Sequence, residues 1–573
     1  MAVAAEPRSR SVPARRRFRL PGGIDRRFLL IALGATLAIL ALRLPSFFEP
    51  PWHTDEGIFA AVAYRVLHGG ELYTDAWESK PPLFLFLYTA IFKAFGVGVL
   101  PLRIAATAFA IGTQWSLYAV ARRSMSRGQA LLASLVCGVL VGVPFWEGTL
   151  ALTEVFALLP SVLGVLLALH WESRREWAGA WRWLVVAGAL FGAAFLLRQT
   201  AALVCVGFVL WLLLSGRPWF KGSLLLGGGA FGVILTSVGA FALFGSFEWF
   251  WNANVGFFFH YVGSGREIPI YYRPLIVSPV IAVCAGLAVY RLRGLDPVWS
   301  LPALWLSLTL SAALLTGRPY SHYFLQVAPP LALLVGLLAS RASLTWQPRW
   351  EHVPALALTA SILALWLGVV RPEFHGDLLA RHYTKSFDYY SNFASWAAGS
   401  RSTAAYNDYF DRRVNLTLRL DALLESLGAR GEEVYIWGEY PWVYPLAGVE
   451  PSTRYMTSFY VLLIPRLDGA LEGTLAAEDP RYIVTLADAR ISLVQSSPVL
   501  RKRYTVAMSG INDLIERRYE EVASVDKARV FRRVAERPET LPSSEETPTI
   551  LEQETAVEDP MADESAELAE GGR

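Results

Sequence analysis

Apolar residues run in long unbroken stretches through the first two thirds of the chain, then give way to shorter mixed segments. The runs at 28–44, 102–121, 129–146, 154–171, 182–197, 200–214, 223–245, 274–290, 298–316, 323–340 and 353–370 each approach the roughly 20 residues that cross a bilayer as a helix. They predict about eleven transmembrane helices. A further apolar stretch at 83–95 follows Pro81-Pro82 and contains Lys93. It is too short to cross, so it predicts a juxtamembrane helix lying at the interface.

Positive charge sets the orientation. Arg122/Arg123/Arg127, Arg174/Arg175/Arg182, Arg217/Lys221, Arg291/Arg293 and Arg341/Arg349 fall on alternate connections, which marks those loops and the basic segment 1–27 as cytoplasmic. The first apolar run ends in Arg43-Leu44-Pro45-Ser46 rather than in a small-residue cleavage pattern, and so reads as an uncleaved span. An odd count of spans puts the C-terminal part outside, and 45–101 becomes one long external loop. The expected organisation is a basic N-terminal segment 1–27, a membrane domain 28–371, an extracytoplasmic domain 372–537 and a tail 538–573. Within the third part, 433–437 and 481–485 read as short buried strands and 414–428 as a helix, which predicts a small α/β domain. The tail, rich in Glu, Ser, Thr and Pro, reads as disordered.

Composition agrees with this picture. Over 573 residues the chain is 54% hydrophobic and 18% charged, with mean hydropathy +0.36, whereas soluble domains carry about 25% charged residues. The fold class is a polytopic α-helical membrane protein with a small C-terminal extracytoplasmic α/β domain. Fifty-two Lys and Arg against 49 Asp and Glu leave a net charge of only +3, which excludes a polybasic nucleic-acid binder. The three cysteines, Cys137, Cys205 and Cys284, lie inside apolar runs at spacings that suit neither zinc nor a disulfide framework.

The charges expected on the outer side cluster. The first external loop carries Trp52-His53-Thr54-Asp55-Glu56-Gly57 before an amphipathic segment, then Asp75 and Trp77-Glu78-Ser79-Lys80-Pro81-Pro82-Leu83. Asp55 and Glu56 suit N-capping and the helix dipole, and equally a general base held beside the bilayer. Lys80 suits a snorkelling lysine or a fixed cation for an anionic headgroup. A second cluster, Gly317-Arg318-Pro319-Tyr320-Ser321-His322-Tyr323, enters a span from outside. It suits a phosphate site or an aromatic interface belt. Glu154 opens another span near the same plane, with Arg198-Gln199 in a short outer turn and Arg103 at the start of the second span. Trp437-Gly438-Glu439-Tyr440-Pro441-Trp442 suits a strand-to-helix turn, with carbohydrate stacking as the alternative.

Asp55-Glu56 soon after the first span, the following helix, Trp77-x-x-Lys80-Pro81-Pro82-Leu83 and Arg318-x-x-x-His322-Tyr323 together resemble the GT-C superfamily of membrane glycosyltransferases. The likeness covers about 28–370. It is nearest to the bacterial branch related to protein O-mannosyltransferases and the lipid A aminoarabinose transferase, because Lys80 stands where the animal and fungal mannosylation pattern has histidine. The resemblance implies inverting transfer of a sugar from a polyprenyl-phosphate donor to an acceptor hydroxyl of a lipid, glycan or protein on the outer face. It implies Asp55 as catalytic carboxylate with Glu56 as its acidic neighbour, and Lys80, Arg318 and His322 at the donor phosphate. Glu154, Tyr323 and Asp75 complete the set as substrate-orienting groups. No metal is required by that chemistry, although His53 and His322 with nearby carboxylates offer a place for a divalent cation. Two other readings compete: a transporter or flippase of lipid-linked sugars, and a surface-polysaccharide polymerase or ligase. Span centres nearly free of Asp and Glu speak against a carrier, whose coupling charges sit at the midplane.

Overall fold

The computed structural model describes residues 26–257, 259, 261, 276–292, 298–315, 320–339, 382–464, 467–486 and 498–534. The basic segment before Arg26, Arg318, the apolar run 353–370 and the acidic tail lie outside the described residues.

The apolar runs become helices close to where their pattern put them. They are α1 (Arg26–Arg43), α4 (Val99–Ala121), α5 (Arg127–Gly142), α6 (Thr153–Arg174), α7 (Trp181–Leu197), α8 (Ala202–Leu214), α9 (Trp219–Leu243), α10 (Ser278–Leu292), α11 (Ser300–Leu314) and α12 (Ala328–Ala339). A tight helical turn, Ser321–Val327, leads into α12. Between α1 and α4 the chain folds into α2 (Thr54–Leu67) and α3 (Pro82–Phe95). Among the described residues, five helical segments are long and apolar enough to cross a membrane: Arg26–Phe48, Val99–Ala121, Thr153–Arg174, Trp219–Leu243 and Ser321–Ala339. The 14 residues of α3 fall short of that length, as the sequence led us to expect.

Packing inside the helical part follows membrane rules. Helices α7 and α9 approach so closely that a methyl group on Gly188 would strike the Leu226 carbonyl oxygen, and one on Gly229 the Val185 carbonyl. Small residues allow such backbone contact where hydrophobic burial cannot drive association. On its other side α9 leaves Leu224, Phe231, Leu235 and Leu243 exposed, an apolar surface of the kind that marks a membrane or protein contact.

The C-terminal part is α/β. After α13 (His382–Ala397), α14 (Thr403–Phe410) and α15 (Arg413–Ser426) come β1 (Glu433–Trp437), α16 (Val443–Ala447), β2 (Glu450–Pro451), α17 (Ser458–Leu463), α18 (Leu467–Glu478), β3 (Tyr482–Leu486), α19 (Pro498–Arg518), β4 (Tyr519–Val525) and β5 (Ala528–Arg533). The sheet order is β2-β1-β3-β5-β4. Strands β1 and β2 pair in parallel, as do β1 and β3, whereas β5 runs antiparallel to both β3 and β4. All five residues of β3 are buried, the continuous apolar run expected of a strand covered on both faces.

The two parts share one core. Ile58, Phe59, Trp77, Phe84 and Tyr88, between α1 and α4, lie in the same buried cluster as Trp437, Val443 and Tyr460. Trp437 and Trp442 are buried, so the Trp437–Trp442 segment is a packed turn rather than a stacking surface for carbohydrate. Trp442 donates its indole N–H to the His53 carbonyl at 3.1 Å and lies against Gly57. A Cβ there would meet Trp442 Cδ1 at 2.7 Å and Pro441 Cγ at 2.8 Å. Gly57→Ala is therefore expected to destabilise this junction by about 1–3 kcal/mol, read as a lower melting temperature and faster proteolysis after α12.

Candidate active site

Helix α2 starts from His53, whose extended backbone caps it, and carries Asp55 and Glu56 in its first turn. The Gly57 amide donates to the His53 carbonyl at 3.0 Å. The two acids then diverge. Glu56 is fully buried: its Oε1 accepts from the Ala151 amide at 2.6 Å and pairs with Arg103. Arg103 also donates to Glu49 Oε2 at 2.9 Å. The Glu56 carboxylate is thus engaged by Arg103 inside the protein. Asp55 is half-buried, and among the described residues its carboxylate makes no hydrogen bond or ion pair. The α2 N-terminus, where backbone N–H groups point outward, favours its negative charge.

Lys80 approaches from the other end of the loop. Its Nζ lies 3.7 Å from Glu78 Oε1 and 5.6 Å from the Phe59 ring centroid. Burial alone would strip its proton, but the Glu78 and Asp55 carboxylates outweigh burial and raise its proton affinity. Glu78 is buried too, which raises its own pKa against the pull of Lys80. It accepts from the Tyr460 hydroxyl at 2.7 Å and the Ser79 amide at 2.8 Å. Tyr73 fixes the lysine's backbone, donating its hydroxyl to the Lys80 carbonyl at 2.8 Å. Tyr73 itself sits at φ 73, a left-handed conformation costly for a bulky residue and common at functional sites. The Asp75 Oδ2 accepts from the Glu71 amide at 2.8 Å and closes a local turn.

A third group joins α6, the α7–α8 turn and the entry to α12. Glu154 Oε1 lies 2.6 Å from Arg198 Nη1, and its Oε2 accepts from Thr153 Oγ1 at 2.7 Å. His322 Nε2 is 3.8 Å from the same Glu154 Oε1, while its Nδ1 is 2.7 Å from Glu147 Oε2. His53 Nε2 lies 3.8 Å from that Glu147 oxygen. The Arg198 guanidinium stacks over the Tyr323 ring at 4.6 Å. Among the described residues no three His, Cys, Asp or Glu side chains converge as a metal centre would need. The two imidazoles instead share Glu147.

That sharing has a pH consequence. Burial would lower the pKa of His53, but its pairing with the Glu147 carboxylate and the charges of Asp55 and Glu56 raise it to about 9. The same pair of imidazoles overcomes burial and holds the Glu147 carboxyl well below its usual range. A histidine whose folded pKa exceeds its unfolded value contributes stability in full below about 6.5 and loses it as pH rises through 9. The Glu147 contribution runs the other way and is lost only in acid. Wild type is therefore expected to lose several degrees of melting temperature between pH 6 and pH 9.5, and His53→Gln to lose less over the same interval.

A sequence profile described as dolichyl-phosphate-mannose-protein mannosyltransferase matches residues 79–240. Comparison with curated protein sequences gives no match. Among solved structures, ArnT from Cupriavidus metallidurans bound to undecaprenyl phosphate aligns over 89% of this chain and 99% of that chain, with TM-score 0.52 and 13% identity. The apo state of the same protein aligns with the same score, over 98% of its length. The fold is of the GT-C type. The Archaeoglobus fulgidus oligosaccharyltransferase tethered with an acceptor peptide also aligns, at 12% identity and TM-score 0.46 over 87% of this chain and 72% of that one.

Within this GT-C fold the structure brings Asp55, Lys80, His322, Glu154 and Tyr323 to one region, linked through His53, Glu147 and Arg198. Arg318 lies outside the described residues. Several members of the region escaped the sequence reading. Glu78 stands inside the Trp77–Leu83 motif and could have been found as the one acid beside Lys80. Glu147, at φ 56, follows an ordinary Pro-Phe-Trp turn and gave no signal. Tyr460 was invisible because it acts on Glu78 across 382 positions of sequence.

Proposed function

We propose that the protein is an inverting glycosyltransferase that moves a sugar from a polyprenyl-phosphate donor to an acceptor hydroxyl on the extracytoplasmic face of the membrane. The carrying observation is that Asp55 alone, among the acids of the region, is left without a partner, while Glu56, Glu78, Glu147 and Glu154 are each held by cations or hydrogen-bond donors. An unpartnered carboxylate can take the acceptor proton as its oxygen attacks the anomeric carbon. Lys80, kept cationic next to it, and Arg198 then meet the charge that develops on the departing lipid phosphate. In a water-poor site such preorganised cations act strongly. The family profile at 79–240, which includes Lys80, Glu154 and Arg198, and a fold shared with a protein crystallised with undecaprenyl phosphate support the same reading.

Asp55 acts as base, Lys80 and His322 attend the phosphate together with Arg318, and Glu154 and Tyr323 orient the sugar or acceptor. Lys80 and Arg198 supply positive charge from the chain itself, so a divalent ion is not required. The topology in this proposal has eleven spans, a cytoplasmic N-terminus and an external C-terminal domain. Cysteine labelling of intact cells tests it: external reagent reaching Arg122→Cys but not single cysteines after α12 would reverse the orientation. Purified protein in nanodiscs, given a panel of polyprenyl-phosphate sugars with lipid A, an oligosaccharide and a Ser/Thr peptide as acceptors, should release free polyprenyl phosphate with one donor. Neither release nor donor binding with any member of the panel would sink the transferase.

A further inference from the structure

We propose that Glu439, carried by the outer domain, is a substrate-positioning residue whose free carboxyl oxygen hydrogen-bonds a hydroxyl of the acceptor beside Asp55. The inference rests on the transferase reading above and extends the working site from the membrane part into the soluble one.

The turn that follows β1 delivers Glu439 to the N-terminus of α2 by three contacts. Trp442 binds the His53 carbonyl and packs on Gly57. Arg413 donates through Nη1 to the Glu439 carbonyl at 3.1 Å and through Nη2 to Thr54 Oγ1 at 3.1 Å. Thr54 is the immediate neighbour of Asp55, so a single guanidinium ties the two backbone segments together. Asp411 holds that guanidinium in turn, 2.7 Å from Nη2.

The Glu439 side chain is equally fixed. Its Oε1 accepts from Ser458 Oγ at 3.0 Å and from the Phe459 amide at 2.8 Å. The next residue, Tyr460, donates to Glu78, the partner of Lys80. One turn of α17 therefore holds Glu439 on one side and the carboxylate behind Lys80 on the other. No protein group among the described residues takes Oε2, and the residue is half-buried. A carboxyl locked by two donors on one oxygen, with the other open, is organised to meet a ligand rather than to fill a core.

Its protonation suits a hydroxyl ligand. Burial raises the Glu439 pKa to about 7, with the Asp55 charge adding to it and Ser458, the Phe459 amide and Arg413 opposing. Near neutral pH the group is present in both forms, so it can accept a hydroxyl hydrogen or donate its own. It does not add a second full negative charge beside the base. The ligand class that fits is a polyhydroxyl or alcohol acceptor presented from the outer side.

The test uses the full chain in nanodiscs, with methyl α-D-glucopyranoside as minimal probe alongside the acceptor panel. Donor hydrolysis by water and binding of undecaprenyl phosphate read the donor half independently. Glu439→Ala is expected to raise the acceptor KM roughly tenfold, as loss of one good hydrogen bond does, with hydrolysis and undecaprenyl phosphate affinity within about twofold of wild type. Glu439→Gln, which keeps an oxygen for Ser458 and Phe459 and a donor in place of Oε2, is expected to restore most of the loss. An unchanged acceptor KM in Glu439→Ala overturns the proposal, as does a parallel fall in acceptor transfer, hydrolysis and lipid binding, which a structural role predicts. Should Glu439→Ala fail to fold, Glu439→Met fills the same volume without the carboxyl and is read by the same criteria. Wild type that binds no undecaprenyl phosphate and turns over no donor removes the transferase reading and this inference with it, whereas active wild type with an indifferent Glu439 removes only the latter.

Discussion

Asp55→Asn is expected to lower sugar transfer by roughly three orders of magnitude, within the range assigned to a positioned general base, while undecaprenyl phosphate still binds. The change is nearly isosteric. Asp55 makes no capping hydrogen bond, so asparagine forfeits only the interaction of its charge with the α2 N-terminus, about 0.3–1 kcal/mol. Asp55 holds no cation in the folded chain among the described residues, so nothing buried is left unpaired by the substitution. Loss of activity without loss of stability would then separate catalysis from helix capping, which the sequence alone left open. The measurement is single-turnover release of polyprenyl phosphate alongside a melting curve. Lys80→Met makes the contrasting case: it deprives buried Glu78 of its cation, so activity and stability should fall together. Wild-type rates in Asp55→Asn would remove Asp55 from the mechanism and leave the unpartnered carboxylate unexplained.

Much of the helical frame was legible because its signal is additive along the chain. Each apolar run of the membrane part is long enough to announce itself, and α5, α7 and α9 begin within a few residues of the predicted runs. Strand β1 was readable as Glu433–Trp437, since a short apolar run between Gly-rich turns leaves few other choices. The β4–β5 hairpin was not. Its residues Glu520, Glu521, Arg529 and Arg532 look like loop, but they pair across the hairpin as Arg529–Glu521 and Arg532–Glu520. Alternation hidden under charge is hard to see without the partner strand.

The same limit applied to the site. Asp55 and Lys80 stood out by spacing within one loop, but which carboxylate of the Asp55-Glu56 pair stays open depended on Arg103, 47 residues downstream. Glu439 lies farther still, and only the docking of the outer domain on α2 gives it a neighbour in Asp55. Local motifs reported chemistry that is local. The engagement of every competing acid, by which Asp55 is singled out, is a property of the assembled molecule.

Arg103 is where the largest stability effect is expected. Its guanidinium is fully buried between Glu56 and Glu49. Glu49 also accepts from Trp52 Nε1 at 2.8 Å and from the Tyr389 hydroxyl at 2.6 Å. Arg103→Ala removes one cation and strands two carboxylates away from water, so it should cost about 3–5 kcal/mol, the range for breaking a buried ion pair by deleting one partner. Neutralising all three groups, as Glu49→Gln, Glu56→Gln and Arg103→Met together, should recover much of that loss, because the desolvation penalty disappears with the charges. Thermal unfolding in detergent reads the series directly. If Arg103→Ala melted with wild type, the triad would not be the anchor of α2. If instead the triple variant melted near wild type yet transferred sugar slowly, the triad would be keeping the α2 N-terminus, and with it Asp55, in register with Lys80 rather than supplying net stability. We expect that second pattern, since buried ionic networks cost desolvation that only their geometric specificity repays.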